Sequence, residues 1–314
     1  MRKNDPRAAY FGIFILALAL MLGCRQGNET VEEETVEVEE TVTSPEPTPE
    51  PIPAPTPTPG PEATGSEGTT AEGVTIEGVT IEVWDNSPPF EGAKTRVSNF
   101  QDGSVLDDAK VGVIVEVENF ELGVQTDTPR AEEIANSAEG QHAHIILDND
   151  PYLADYKVGE PFDIGALTEG PHTLVVFPSR SYHESVKSPD AAEILNFYVG
   201  KEEGEFLLDK SAPTIIYSRP KGDYKGKDAE KILLDFYTNN VELSPDGYKA
   251  KYTITNKDSG EEVGTITLNY WRPAFVAGLP TGEYGVRLQL LDKDGNVVEG
   301  AFNDTERTIN VTTE

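Results

Sequence analysis

Three of the four histidines in this 314-residue chain stand where they could bind a metal ion together. His142 and His144 lie two residues apart in the segment GQHAHIIL, and His183 lies in the later segment PSRSYHES. Residues i and i+2 of a β-strand project from the same face, so the first two imidazoles are expected to be neighbours. Imidazole nitrogens bind Cu(II) and Zn(II), with Glu184 or water completing the shell. These residue types therefore indicate a candidate copper or zinc site.

A second copy of the same short strand shows which way the histidines point. The segment GQHAHIIL returns more than a hundred residues later as GYKAKYTI, with Lys249 and Lys251 at the positions of His142 and His144. Lysines face solvent, and the side chains of a strand alternate between its two faces. The two histidines are therefore predicted to lie on the outer face of the first copy, while Ala143, Ile145 and Leu147 face the core.

The repeat extends well beyond this strand. VWDNSPP matches LLDKSAP, and FDIGALTEGPHTLVVF matches AFVAGLPTGEYGVRLQL. Each copy has a usual domain size. The sequence therefore predicts two tandem domains, at residues 79–203 and 204–314.

Both domains are predicted to be all-β. Their apolar residues alternate, as in VGVIVEVE, the runs are separated by Gly, Pro, Asn and Asp clusters, and helical periodicity is nearly absent. The size and order of the strands resemble the immunoglobulin-like class, which implies two antiparallel β-sandwiches. The connector GKEEGE at 200–205 is short and charged, so we expect some hinge freedom between the domains.

The immunoglobulin-like resemblance also places the third histidine. In that class the third and sixth strands pair antiparallel, which puts the start of strand 142–147 beside the end of strand 172–177. The loop that follows this end carries His183, so His183 is expected to approach the other two imidazoles. His172 would lie at the opposite end of the sheet. It corresponds to Tyr284, where immunoglobulin-like domains place a corner tyrosine, and we interpret both as structural.

A different hypothesis uses the remaining outward positions of the first domain. They form an apolar and aromatic face beside the 178–193 loop, where the second copy has polar residues. This candidate docking face comprises Ile146, Val175, Phe177, Arg180, Tyr182 and Tyr198. Such a face on an otherwise acidic protein is typical of a partner-binding surface. The alternative is that the loop folds over the face and covers it, and we favour docking.

The N-terminus has the pattern of a secretory signal. Basic residues precede an apolar run at 10–22, which is too short to be a comfortable transmembrane span. The following MLGC resembles the bacterial lipoprotein lipobox. The resemblance implies that residues 1–23 are a signal peptide and that Cys24 is lipidated and anchors the protein to a membrane. Arg25 favours the outer membrane if the bacterium is Gram-negative.

Residues 24–78 are predicted to be a disordered tether. They are rich in Glu and contain the proline-dense stretch SPEPTPEPIPAPTPTPGPE, so they cannot bury enough apolar surface to fold. The repeated GVTIEGVTIEV at 73–83 alternates polar and apolar residues, and it is either the end of the tether or a first strand.

The composition excludes several function classes. A formal charge of −31 argues against nucleic acid and against anionic lipid head groups as partners. Cys24 is the single cysteine, which excludes a disulfide within the chain and a cysteine-based metal site. The sequence has no Gly-rich phosphate loop, no GxSxG and no HExxH, so we predict that the protein is not an enzyme.

One further resemblance concerns the first domain. The stretches GQHAHIILDNDPY and EGPHTLVVFPSRSYHESVK resemble secreted bacterial proteins of unknown function, some of which carry a phosphopeptide-binding label. Arg180 with Ser179 and Ser181 would contact a phosphate there. The strong negative charge of the chain disfavours that function.

Together these patterns predict a non-catalytic cell-envelope lipoprotein that is extracytoplasmic and membrane-anchored. Its expected work is to bind a protein or another envelope component, or to serve as a structural module, through the outer face and the 178–193 loop of the first domain. The alternative is that it binds or handles copper or zinc through the histidine cluster.

Overall fold

The computed structural model describes residues 72–76, 78–188 and 190–314. The predicted signal peptide, the lipidation of Cys24 and most of the predicted tether lie outside these residues. Within them, no helix is long and apolar enough to cross a membrane.

The regular elements in the described part of the chain are almost all β-strands. The strands are β1 (Glu72–Thr75), β2 (Thr80–Val83), β3 (Lys94–Val97), β4 (Val105–Leu106), β5 (Lys110–Glu118), β6 (His142–Leu147), β7 (Leu153–Asp155), β8 (Pro161–Ala166), β9 (Gly170–Ser179), β10 (Glu193–Val199), β11 (Thr214–Arg219), β12 (Gly222–Lys225), β13 (Lys231–Asn239), β14 (Lys249–Asn256), β15 (Glu262–Leu268), β16 (Ala274–Ala277), β17 (Gly282–Leu291) and β18 (Asp304–Thr312). A 3-10 turn at Pro129–Glu132 and a one-turn helix, α1 (Lys227–Glu230), complete the elements described. The all-β prediction is confirmed.

Each domain is a sandwich of two sheets. In the first domain the sheets have the strand orders β4-β10-β9-β6-β7 and β3-β5-β8. In the second, β12-β18-β17-β14-β15 and β11-β13-β16 repeat those orders strand for strand. Both copies even share a parallel pair at one edge, β4 with β10 and β12 with β18. The chain therefore contains two tandem immunoglobulin-like sandwiches of the same design.

Alternating apolar residues produce the core of each sandwich. In β5, Val111, Val113 and Val115 are buried, while the residues between them are only partly buried. Burying a side chain of this kind contributes about 1.5–3 kcal/mol relative to leaving it exposed. In β6, Ala143 and Ile145 join the same core, so the predicted inward and outward faces of this strand are correct.

The N-terminal strands belong to the second domain. β1 pairs with β15 and β2 pairs with β16, and Val79 enters the core of the second sandwich. The prediction that the tether extends to residue 78 and that the first domain begins at 79 is therefore wrong for these strands. The alternating pattern of this segment would suit a strand of either domain. Its partners are the edge strands β15 and β16, which are distant in sequence and come beside it only in the folded chain.

The close approach of this segment makes a testable prediction at Gly278. A Cβ atom added there would lie 2.0 Å from the carbonyl oxygen of Gly78, and Gly278 has a φ of +80°. Gly260 has a similar φ of +71° but no atom within 4 Å of an added Cβ. We expect Gly278→Ala to lower the free energy of unfolding by about 1–3 kcal/mol more than Gly260→Ala does. Urea denaturation of both variants measures the difference. An equal loss of stability in the two variants would contradict the close packing of the segment at Gly78 and β2 against Gly278.

The outer face of the first domain is not a free surface. Ile146, Val175 and Phe177 are fully buried and form one apolar cluster with residues of the second domain, including Ile216 and Tyr237. The predicted docking face is therefore the contact between the two domains, and the docking hypothesis is wrong for these residues. The two domains share this apolar cluster, which disfavours the expected hinge freedom.

The 178–193 loop packs in the same junction. Tyr182 is fully buried with Leu233 and Phe275 of the second domain, and Arg180 is also buried. Of the predicted docking residues, Tyr198 alone keeps partial exposure, and its ring packs 4.6 Å from that of Phe206. Strand alternation assigns a side chain to a face, but it does not show whether a second domain covers that face.

Candidate functional site

The structure brings the three predicted histidines together. One ring nitrogen from each of His142, His144 and His183 lies within 4.8 Å of the other two. The Nε2 atom of His142 is 3.0 Å from Nε2 of His144 and 3.1 Å from Nδ1 of His183. The separation of two ligand atoms around a tetrahedral metal ion with bonds of about 2.0–2.1 Å is only slightly longer.

Strand pairing produces this convergence. β6 and β9 are antiparallel, and His142 is opposite Ser179, so the start of β6 lies beside the end of β9 as predicted. The chain then turns back, with the amide of His183 donating to the carbonyl of Arg180. His183 has a φ of +68°, a left-handed conformation that is uncommon for a residue other than glycine. Such strain is concentrated at functional sites.

The outward-facing ring nitrogens orient the cluster. Nδ1 of His142 donates to the carbonyl oxygen of Gly140 at 2.9 Å, which leaves the Nε2 lone pair facing the other rings. Nδ1 of His144 is 3.2 Å from the hydroxyl of Ser218, in the second domain. When both Nδ1 protons are donated outward, two Nε2 lone pairs face each other, an arrangement that a cation between them stabilises. Metal-binding histidines are typically fixed by such a bond on the second nitrogen.

Tyr152 and two cations surround the cluster. The Tyr152 ring stacks on His144 with centroids 3.6 Å apart, and its hydroxyl is 3.3 Å from Nδ1 of His183. The ammonium of Lys221 lies 3.9 Å and the guanidinium of Arg219 lies 5.3 Å from the centre of the Tyr152 ring. The site therefore lies at the domain junction, with its imidazoles from the first domain and its cations from the second.

Burial keeps the three imidazoles neutral. It lowers the pKa of His142 to about 4, and it lowers the pKa values of His144 and His183 well below 6.5, with further contributions from Arg219 and Lys221. Neutral imidazole is the form that binds a metal, so at neutral pH no proton has to be displaced from these rings.

Glu184 does not join the histidines, contrary to the prediction. Its carboxylate accepts hydrogen bonds from the amide and the hydroxyl of Ser87, at 3.0 and 2.8 Å, and pairs with Arg130. Burial alone would raise its pKa, but the neighbouring cations Lys187 and Arg180 hold it below its usual value. Because the chain turns at His183, the two adjacent side chains point to different sides of the loop.

The predicted phosphate-binding group is also occupied by the fold. The guanidinium of Arg180 donates to the carbonyl oxygens of Ser185 and Pro88 and is almost fully buried. Ser179 and Ser181 are fully buried beside it. This geometry does not favour phosphopeptide binding at that loop.

The fourth histidine has a structural role. His172 donates from Nε2 to the carbonyl of Thr168 at 2.9 Å, and its Nδ1 is 2.6 Å from a carboxylate oxygen of Asp148. In the second copy the hydroxyl of Tyr284 donates to the carbonyl of Pro280, also four residues earlier and also at 2.9 Å. The corner-residue interpretation of both positions is confirmed.

The second-domain residues of the site have no signal in the local sequence around the histidines. Ser218, Arg219 and Lys221 are more than 70 residues away from His144 and carry no motif. One signal was available: TIIYSR contains three consecutive apolar residues, and a strand that is apolar on both faces indicates that another layer covers it.

Comparisons with known proteins give structural neighbours only. No protein-family model matches the sequence, and no curated protein matches it. The chain is similar to the fibronectin(III)-like modules of Clostridium thermocellum CbhA, with a TM-score of 0.24 and 13% identity, covering 70% of this chain and 95% of that chain. It is similar to dimeric latent PorU from Porphyromonas gingivalis, with a TM-score of 0.23 and 15% identity, covering 74% and 20%.

A tetra-tandem repeat from the extending region of a large adhesion protein is a further neighbour. Its TM-score is 0.23 and its identity is 15%, covering 70% of this chain and 49% of that chain. At these values the fold assignment depends on the strand pairing of this chain, and no function is transferred from the neighbours.

Proposed function

We propose that this protein is a non-catalytic, extracytoplasmic module that binds one copper or zinc ion between its two domains. His142, His144 and His183 are the ligands. The observation that carries the proposal is the convergence of three neutral, buried imidazole nitrogens whose rings are fixed by groups behind them. Lipidation of Cys24 would hold the module at a membrane, in the outer membrane if the bacterium is Gram-negative.

The burial of the site favours holding an ion over catalysis with it. The side chains of His142 and His144 are fully buried, and His183 is only partly exposed. A catalytic zinc site keeps a coordination position open to water and substrate, whereas a closed site serves structure or storage. The outer face is not available to the predicted cell-envelope partner, because the second domain covers it.

Metal titration tests the proposal. We expect the metal-free protein to bind one equivalent of Zn(II) or copper in calorimetry, with micromolar or tighter affinity. The His142→Ala/His144→Ala variant should lose this binding, because it removes two of the three ligands. His172→Ala is the matched control, since His172 is the one histidine outside the cluster. No binding by the unsubstituted protein, or binding that the double variant retains, would refute the proposal.

Ser218 should affect the metal without touching it. Its hydroxyl is the partner of Nδ1 of His144, so Ser218→Ala removes the bond that fixes this ring. We expect the metal affinity to fall about 10- to 100-fold. Competition with a chromophoric chelator measures the change, with Ser259→Ala on the exposed surface of the second domain as the control. An unchanged affinity in Ser218→Ala would show that the second domain does not orient the site.

A further inference from the structure

The residues around the histidine cluster also distinguish between metal ions, and this step rests on the proposed function. Zn(II) in proteins is almost always four-coordinate, and Cu(II) adopts tetragonal geometries with nitrogen and oxygen ligands. Cu(I) has one positive charge, and three donors can complete its shell. The number of ligands and the charge of the surroundings therefore decide which ion fits.

The cluster offers three donors of the usual kinds and no anionic one. Among the described residues, no Asp, Glu or Cys side chain joins the three imidazoles. Of the buried carboxylates, Asp155 lies opposite Ala143, on the core side of the sheet, and two others are already engaged. Glu184 pairs with Arg130, and Asp235 pairs with Lys187 and accepts from the amide of Ser185. A divalent ion would therefore enter a shell of neutral nitrogens only.

The side chain beside the remaining coordination position is not a usual zinc ligand either. Tyr152 is the polar side chain beside the open part of the cluster, with its hydroxyl 3.3 Å from Nδ1 of His183. Its ring is buried, stacked on His144 and close to the cations Lys221 and Arg219. A tyrosine hydroxyl is not among the thiolates, imidazoles and carboxylates that usually hold Zn(II).

Two fixed cations oppose a high charge at the cluster. Arg219 is buried and bonded to the hydroxyl of Tyr224, and Lys221 covers the Tyr152 ring that stacks on His144. The repulsion between a bound ion and these groups is proportional to the charge of the ion. A divalent ion therefore meets twice the repulsion that a monovalent ion meets at the same position.

From the count of donors and the charge around them, we infer that the site binds Cu(I) in preference to Zn(II) and Cu(II). The protein then holds reduced copper in a buried three-imidazole shell. The two cations from the second domain select against divalent ions.

Anaerobic competition titrations test this selectivity. The purified protein is titrated with Cu(I) against a chromophoric Cu(I) chelator, and separately with Zn(II) against a zinc chelator. We expect one equivalent of Cu(I) to bind at least about tenfold more tightly than Zn(II), a difference of about 1.4 kcal/mol. Zn(II) binding as tight as Cu(I) binding overturns the inference and leaves the proposed function standing. Binding of neither ion refutes the proposed function itself.

The oxidation state of bound copper gives a second measurement. A site that prefers Cu(I) raises the Cu(II)/Cu(I) reduction potential above that of aqueous copper. We expect protein loaded with Cu(II) to be reduced by a mild reductant and to show no Cu(II) signal in electron paramagnetic resonance afterwards. A stable tetragonal Cu(II) spectrum under the same conditions contradicts the preference.

The role of the cations is tested by Lys221→Gln. Removing one positive charge should tighten the binding of every ion, but by different factors. Because the repulsion of a divalent ion is twice that of a monovalent ion, an n-fold rise in the affinity for Cu(I) corresponds to an n-squared-fold rise in the affinity for Zn(II). The titrations are made at about pH 6.5, below the pKa of about 8 to which burial lowers Lys221. Lys225→Gln, on the exposed strand β12, is the matched control. Equal gains for both ions would show that charge does not select the metal.

Discussion

Replacing Phe177 by alanine is expected to lower the free energy of unfolding by about 3–5 kcal/mol. The Phe177 ring is fully buried at the contact between the two domains, where it stacks on Tyr237 with centroids 5.0 Å apart. It also meets the ring of His144 edge-on, with centroids 5.3 Å apart. The substitution would leave a cavity that neither sheet can close without moving, because rigid strands line it from both domains.

Chemical denaturation measures this effect. Phe206→Ala, at a partly exposed position just after the connector, is the matched control, and we expect it to lower the free energy of unfolding by less than about 1.5 kcal/mol. A loss of less than about 1 kcal/mol in Phe177→Ala would mean that the domains do not pack through this face in solution. The docking hypothesis for the outer face would then return.

The second large effect is acid destabilisation of the metal-free protein. Burial lowers the pKa of His142 to about 4 and those of His144 and His183 well below 6.5, whereas in the unfolded chain all three titrate near the ordinary value. Between these values the unfolded state binds more protons than the folded state. Stability is therefore fully present above pH 6.5 and is lost as the pH falls toward 4, by about 3 kcal/mol for His142 alone.

Urea denaturation at about pH 7.5 and about pH 5, with a chelator present, measures this loss. In the His142→Gln/His144→Gln variant the free energy of unfolding should depend less steeply on pH, by up to about 2.7 kcal/mol per pH unit. Carboxylates do not confuse the comparison, because both proteins carry the same acids, including Asp155, whose pKa burial raises, and Glu184, whose pKa neighbouring cations lower. An unchanged slope in the variant would show that the cluster is protonated in the folded protein.

Strand-level features of the molecule followed from the sequence, and domain-level contacts did not. The alternation of apolar residues in β5 and β6 predicted the core-facing side chains, and the repeat predicted that β6, β8 and β9 have counterparts in β14, β16 and β17. The pairing of β6 with β9 then placed His183 beside His142. These inferences depend only on neighbours within one sheet, where the period of two residues determines the face.

Exposure and ligand sets depended on contacts between distant segments. Ile146 was assigned correctly to the outer face of β6 but wrongly to solvent, because Ile216 of the second domain covers it. Glu184 neighbours His183 in sequence, yet its carboxylate turns toward Ser87, almost a hundred residues earlier. The local sequence pattern of a strand does not distinguish a solvent-exposed outer face from one that another domain covers, since both have a regular row of outward side chains.

The pairing of β1 and β2 with the second sandwich changes what a mechanical load on this protein would do. The chain enters the described structure at Glu72 through β1, on the edge strand β15, and only afterwards passes through the first sandwich. A pull from the N-terminal side would therefore be applied directly to the second sandwich, with the first sandwich lying as an insertion outside the line of force. The histidine cluster, whose imidazoles come from the inserted domain, would be shielded from that tension.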